Sequence, residues 1–286
     1  MPFIALAVLC SVLVSVHLKL ARRAGVDVGQ AIAWNYAVAA LLAALLLHPA
    51  LDSLGTASAP WPSLLALALL LPTIFLALGA SVRHAGIVRS DAAQRLSLLV
   101  SLLAAFVLFG QMLTPEKAIG IGLGLLALLA LLWRGPRSER DGGGARAWLY
   151  PLIVFAGFGA IDVLLKRVSA AGVPLGASLL AMFALALPVA LGIAVVRAVR
   201  GGARFTWRSV AAGLLLGLLN FGNILFYLRA HQALPHDPAL VFAAMNLGVV
   251  ALGALVGVLA FGERLSRVNA AGLVLALVAI ALLARS

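Results

Sequence analysis

The chain repeats itself. Leu255 to Ala284 reads LVGVLAFGERLSRVNAAGLVLALVAIALLA, two apolar runs around the polar hinge Phe261-Gly262-Glu263-Arg264-Leu265-Ser266. The earlier stretch AAFVLFGQMLTPEKAIGIGLGLLALLALL has the same form, hinged at Phe109-Gly110-Gln111-Met112-Leu113-Thr114. A shift of 152 residues lays Phe109, Gly110, Leu113, Ala118 and Gly120 on Phe261, Gly262, Leu265, Ala270 and Gly272, and Thr114 on Ser266. Nearer the N-terminus a shift of 147 lays Ala24-Gly25-Val26 and Gly29 on Ala171-Gly172-Val173 and Gly176, and Lys19 on Lys166. At 146, Arg83 meets Arg229 and Asp91 meets Asp237; the growth from 146 to 152 means six extra residues near the start of the second copy's fourth apolar run. Any fold for this chain must therefore accommodate a doubled unit.

Composition says what kind of unit. Of 286 residues 64% are hydrophobic and 10% charged, with mean hydropathy +1.14. Soluble domains are about half apolar and about a quarter charged. A membrane-crossing helix takes about 20 mainly apolar residues. The runs predict spans at 3–21, 29–47, 63–82, 91–110, 117–133, 148–168, 175–196, 209–228, 239–260 and 268–284. All are expected to be helices, because an open sheet leaves backbone groups unpaired in lipid. The predicted fold is an all-α polytopic membrane protein. It has ten transmembrane helices in two five-helix repeats, 1–133 and 148–286, joined by a charged, Gly-rich linker at 134–147. Five spans per repeat is an odd number, so the second copy must cross the membrane inverted, the arrangement of many secondary transporters. The remaining residues make short connections, too little for a soluble domain. Cys10 stands alone in the first span, so no intramolecular disulfide forms. Met1-Pro2 leads into apolar sequence without a basic segment, which predicts a retained anchor rather than a cleaved signal.

The net charge of +12 raises nucleic acid as a partner, but the basic residues lie in short connections between apolar runs. That is membrane topology, and no nucleic acid is expected. Connections after the odd-numbered spans hold sixteen of the 21 Lys and Arg residues. The positive-inside rule then places both termini outside the cytoplasm. The connection from His48 to Pro62 has neither Lys nor Arg, in agreement. At helix starts, Thr114-Pro115 and Asp237-Pro238 read as N-caps followed by proline at the first helical position, and Asp91 reads as a cap for the fourth span.

Ten spans, two five-span repeats and the hinge Gly262-Glu263-Arg264-Leu265-Ser266, duplicated at the end of each fourth span, resemble the drug/metabolite transporter superfamily and its EamA-type members. The resemblance covers the whole chain. The first hinge departs from the family pattern with Gln111 in place of Glu, which implies that half one does not need the acid for chemistry. The resemblance implies export or exchange of small metabolites, a cavity lined by spans 1, 3, 4, 6, 8 and 9, and both termini in the cytoplasm, opposite to the charge count.

Polar groups inside a bilayer are costly and turn toward a bundle interior or a cavity. Ser11, Ser15 and Lys19 share a face of span 1; Gln94, Ser97 and Ser101 share one of span 4; Asn220, Asn223 and Tyr227 share one of span 8. For the serines, helix–helix hydrogen bonding is the simpler reading. The three large groups of span 8 suit a wet cavity better, and Asn35 and Asn246 join them as cavity candidates. Asp162 is the one carboxylate well inside a span and the candidate for proton coupling. Against that stands Lys166, four residues on, since an acid followed by lysine at that spacing neutralises itself. Lys19 and Lys166, matched by the repeat, read either as paired contacts for an anionic substrate or as snorkelling side chains, the second favoured. Arg95 is better placed for an anion. His17 reads as a hydrogen-bonded core histidine, and His84 and His231 as interfacial. Pro72 and Pro188 lie within spans 3 and 7 as points of helix distortion. The spacings Gly120/Gly124, Gly213/Gly217 and Gly253/Gly257 allow close helix contact, within the chain in preference to a homodimer face. Gly120-Ile121-Gly122-Leu123-Gly124 is no nucleotide loop, since it lies within an apolar helix with no Walker lysine or following strand.

The reading is a secondary transporter of small organic metabolites, an exporter or exchanger working by alternating access in the cell's inner (plasma) membrane, with the lipid bilayer as its surroundings. A flippase for lipid-linked sugars on the same fold is the alternative. An integral membrane enzyme acting on lipid-linked substrates fits less well: there is no Asp-rich metal motif, no HExxH and no clustered nucleophile and base. No cofactor is expected, and without a P-loop the chain is not itself an ATP-driven pump. Cationic groups near the cavity favour an anionic or zwitterionic solute. With both termini outside, the 134–147 linker is cytoplasmic. Ser138→Cys in a Cys10→Ser background is then expected to resist a membrane-impermeant maleimide on intact cells and react after permeabilisation; labelling from outside reverses the orientation.

Overall fold

A computed structural model describes residues 1–132, 146–201, 206–261 and 266–285. Most of the 134–147 linker, with Ser138, lies outside the described residues, as do Gly262, Glu263, Arg264 and Leu265 of the second hinge. Ten α-helices occur among the described residues: α1 Pro2–Arg23, α2 Val28–Leu46, α3 Trp61–Leu96, α4 Leu98–Val107, α5 Pro115–Leu132, α6 Arg146–Ala170, α7 Leu175–Val199, α8 Trp207–Ala233, α9 Pro238–Phe261 and α10 Arg267–Leu283. A short 3-10 turn, Leu51–Gly55, follows α2. Seven of the helices (α1, α2, α3 and α6 to α9) are long and apolar enough to cross a membrane. The chain is an all-helical, multi-pass membrane protein.

The helix ends follow local chemistry. Gly25 and Gly172, matched in the repeat, terminate α1 and α6 with nearly the same left-handed backbone, φ +70° and +74°. At the first of them Val26 N–H reaches back to the Ala21 carbonyl at 3.0 Å, closing a glycine C-cap. The matched hydroxyls of the hinges do the same job: Thr114 Oγ1 accepts from Lys117 N at 3.2 Å, and Ser266 Oγ from Asn269 N at 3.1 Å. The expected break between the third and fourth spans is displaced. α3 continues through 83–96, so Asp91 lies inside a helix and starts none. That segment is polar but has no proline, and polarity alone does not end a helix. The interruption comes at Ser97, whose hydroxyl donates to the Gln94 carbonyl at 2.6 Å, a back-bond of the kind that bends helices.

The helices form two compact units, each drawing on both sequence halves. The first comprises Met1–Thr73 and Leu164–Ala233. There α8 lies against α2: a Cβ on Gly213 would sit 2.5 Å from Trp34 Cβ and 2.8 Å from the Ala31 carbonyl, and one on Gly217 2.6 Å from Val38 Cβ and 2.8 Å from the Asn35 carbonyl. The contacts advance together along both helices, so α2 and α8 run parallel. α7 meets α2 in the opposite sense. Gly29, opening α2, faces Arg197 near the end of α7, and Gly176, opening α7, faces Leu47 just after α2. α1 is antiparallel to α8, with Cys10 beside Gly222 and the Arg229 guanidinium over the Phe3 ring. Phe183 fills the middle, 6.4 Å from both the Tyr36 and Phe221 rings. One end is tied by Asp27, which caps α2 through Gln30 N at 2.8 Å and accepts from Arg197 Nη2 at 3.2 Å.

The second unit comprises Ile74–Val163 and Leu234–Ser286. Here α5 and α10 are antiparallel neighbours: a Cβ on Gly120 would meet Leu283 Cγ at 2.8 Å, while Asn269 Nδ2, at the other end of α10, donates to the Ala130 carbonyl at 2.9 Å. Gly124 sits against Leu247 of α9 and Ala279 of α10. Gly157 and Gly159 bring α6 against Ile74 and Val100, each with less than 3 Å of room for a Cβ.

Two of the three glycine spacings are thus used inside the units, whereas a Cβ on Gly253 would meet nothing within 4 Å. Gly217→Ala is expected to lower stability in detergent by about 1–3 kcal/mol, the usual cost of overpacking. Gly253→Ala is expected to leave it unchanged. Equal thermal midpoints for the two variants would mean that α2 and α8 do not depend on the close approach.

Candidate functional site

The polar residues picked out in the sequence divide between the units. In the first, Asn220, Asn223 and Tyr227 rise along one face of α8, and the 3–4 spacing continues to His231. His231 is 1% exposed, one of the most deeply buried side chains of its size. Its ring meets Tyr227 edge-on, with centroids 4.8 Å apart, and lies within electrostatic reach of Lys166 on α6. Lys166 is itself 3% exposed, so it does not snorkel. Asn223 keeps a buried Oδ1 with no hydrogen-bond partner. Asn35, on α2, is 2% exposed and likewise has an unpartnered Oδ1. Asn220 is half-buried.

The matched lysines are not brought together. Lys19 is half-buried near the end of α1, two residues from His17, whose Nε2 is 2.8 Å from the Ala212 carbonyl early in α8. Lys166 lies by His231, at the other end of α8. At 1.5 Å per residue those points are roughly 30 Å apart, so the two ammonium groups do not share a small substrate.

In the second unit Asp162 is held by α4. Ser101 Oγ, fully buried, donates to Asp162 Oδ2 at 2.8 Å. The glycine at 159 sets α6 close enough to α4 for that bond to form. Of the other candidates there, Asn246 donates back to the Phe242 carbonyl on its own helix at 3.1 Å, and Gln94 and Arg95 are half-buried at the end of α3. What this unit offers chemically is a carboxylate in an apolar helix with a hydroxyl to stabilise its charge.

No family model matches the sequence. The chain is 42% identical over 279 residues to an uncharacterized protein of Haemophilus influenzae, across 96% of this chain and 94% of that one. The chain belongs to that protein's family. A protein of solved crystal structure is similar with a TM-score of 0.74 at 18% identity, over 98% of this chain and 95% of its own, a likeness of fold.

Gln111 of the first hinge has a local role. Gln111 Oε1 accepts from Ala239 N at 2.9 Å, serving a free donor of the α9 N-terminus, while its Nε2 donates to Asp237 Oδ1 over a long 3.4 Å. Asp237, expected to cap α9, turns the same oxygen to Lys117 Nζ at 2.6 Å. An amide at 111 both accepts and donates; a carboxylate there would face a second carboxylate. Sequence gave no sign of this cluster, because Lys117 and Asp237 are 120 residues apart. Gln111→Glu is accordingly expected to lower stability by roughly 1–2 kcal/mol at neutral pH. The loss should shrink as pH falls through the carboxylate range; thermal unfolding in detergent at several pH values measures it.

Proposed function

We propose that the protein is a secondary transporter of small organic metabolites, of the EamA type within the drug/metabolite transporter superfamily, working by alternating access between two inverted five-helix repeats in the plasma membrane. One observation carries this reading. Helices that match in the repeat, α2 with α7 and α5 with α10, pack side by side and antiparallel, as a two-fold axis in the membrane plane requires. The matched glycines support it further, since Gly29 and Gly176 each open one helix of a pair and touch the end of the other.

Asp162 is the residue assigned to proton coupling. An ionised carboxylate inside lipid is costly, and a hydroxyl donor lowers that cost for the charged form. The test uses proteoliposomes with a pH gradient and an internal pH dye, challenged with amino acids, nucleosides and sugar phosphates. Wild-type protein is expected to dissipate the gradient with at least one class. Asp162→Asn is expected to keep exchange of that solute while losing the proton movement at least tenfold. Proton movement unchanged in Asp162→Asn removes the coupling role; movement of no solute removes the transporter reading.

A further inference from the structure

The buried hydroxyl of Ser101 has one proton and two acceptors within reach. The Asp162 carboxylate of α6 takes it at 2.8 Å, and the Ser97 carbonyl on its own side lies at 3.4 Å. Ser97 is the residue that interrupts the chain between α3 and α4. Its carbonyl already accepts from Val100 N at 2.9 Å and from Ser101 N at 3.3 Å. A carbonyl oxygen has two lone pairs, so a hydroxyl drawn fully onto it must loosen one of those amides. Serine back-bonding of this kind bends helices, and Ser97 already makes such a bond to the Gln94 carbonyl one turn earlier.

The charge on Asp162 decides where the Ser101 hydroxyl goes. A bond to a carboxylate is about twice as strong as one between neutral groups. Ionised Asp162 therefore outcompetes the Ser97 carbonyl, in agreement with the two distances. A proton taken from the aqueous phase onto the carboxylate removes that advantage, and the nearby carbonyl gains the hydroxyl. No covalent bond of Ser101 changes: its proton stays on Oγ and exchanges one acceptor for the other. Other charged groups around the site act on the carboxylate, not on the hydroxyl. Lys166 lies one turn on along α6, at the spacing that pairs an acid with a lysine. α3 contributes Arg95 in its last turn and His84, which stacks on Tyr150 near the start of α6. α4 and α9, which pack on one another, carry no titratable side chain.

Resting on Asp162 as the proton carrier, we propose that Ser101 is a positioning residue that passes the charge state of Asp162 to the break between α3 and α4. The amides at the break stay bonded while the carboxylate is ionised and loosen when it is neutral. A proton-coupled transporter needs such a link, because a ligand shifts a conformational equilibrium only through a difference in its interactions with the two states.

The experiment is hydrogen–deuterium exchange of the purified full-length protein in detergent at mildly alkaline pH, read over residues 98–101. Asp162→Asn, a neutral side chain of nearly the same shape, is expected to speed exchange there about threefold over wild type. In a Ser101→Ala background the same change is expected to have no effect, since no hydroxyl is left to move, and in a Ser101→Thr background the response returns. In proteoliposomes, the ratio of gradient-driven accumulation to downhill exchange of the solute is expected to fall about tenfold in Ser101→Ala and to recover in Ser101→Thr. No response to Asp162→Asn, or an equal response with and without the Ser101 hydroxyl, overturns the link whatever the transport result. The expected exchange pattern with no solute moved by wild-type protein leaves the link and removes the transporter reading. Solute moved by wild-type protein, with the ratio unaltered in Ser101→Ala, removes the role of Ser101 and leaves the transporter.

Discussion

Helices in lipid gain nothing from expelling water between them, so what binds them is how closely their backbones approach. In this protein that closeness depends on glycine. Gly213 and Gly217 let α8 lie on the backbone of α2 at Ala31 and Asn35, and Gly29 and Gly176 do the same where α2 and α7 meet. Gly157 and Gly159 seat α6. Polar chemistry depends on the same contacts. Ser101 reaches Asp162 because a backbone without a side chain at 159 allows α4 so near. A larger residue at these points would separate the helices before it disturbed any hydrogen bond directly.

The apolar runs located nearly every helix, and Thr114 caps α5 as expected, since both are local properties of the chain. What failed to show was whatever depends on a distant neighbour. Residues 83–90 resemble a loop by polarity, yet helical hydrogen bonding continues through them until Ser97. His231 was visible as the next member of a 3–4 spaced stripe, but its place beside a matched connection suggested an interface. Its burial is set by the surrounding helices, which no local pattern encodes. The cluster of Gln111, Lys117 and Asp237 joins a hinge, α5 and α9, and nothing in any one segment foretells it.

Sequence matching also misleads in a specific way when the copies run in opposite directions. On the proposed inverted arrangement, residues matched between the copies are carried toward opposite ends of a unit unless they start near its middle. Lys19 and Lys166 illustrate the rule: identical in type and register, they lie near opposite ends of α8. Gly29 and Gly176 obey it too, each at the far end of the other's helix.

It follows that the duplication explains the frame and the departures from it explain the chemistry. At the offset of 147, Asp162 corresponds to Ser15, whose hydroxyl is spent on the Ser11 carbonyl of its own helix. At the offset of 146, Asn220, Asn223, Tyr227 and His231 correspond to Ile74, Ala77, Ser81 and Ala85. The first copy thus has nothing like the polar stripe of α8; Ser81 is buried on Ser90 at 2.6 Å. Groups serving only to hold the doubled fold together, such as Gly25 with Gly172 or Thr114 with Ser266, persist in both copies with the same conformation or the same bond. The carboxylate at 162, the amide at 223 and the imidazole at 231 have no like residue at the matched positions of the first copy, so the frame does not require them. Each imposes a desolvation cost that the small residue at the matched position avoids, whereas Lys166 is matched by Lys19. On the proposed transporter reading these groups are what the second half adds, while Asn35, with its own unpartnered buried oxygen, belongs to the first.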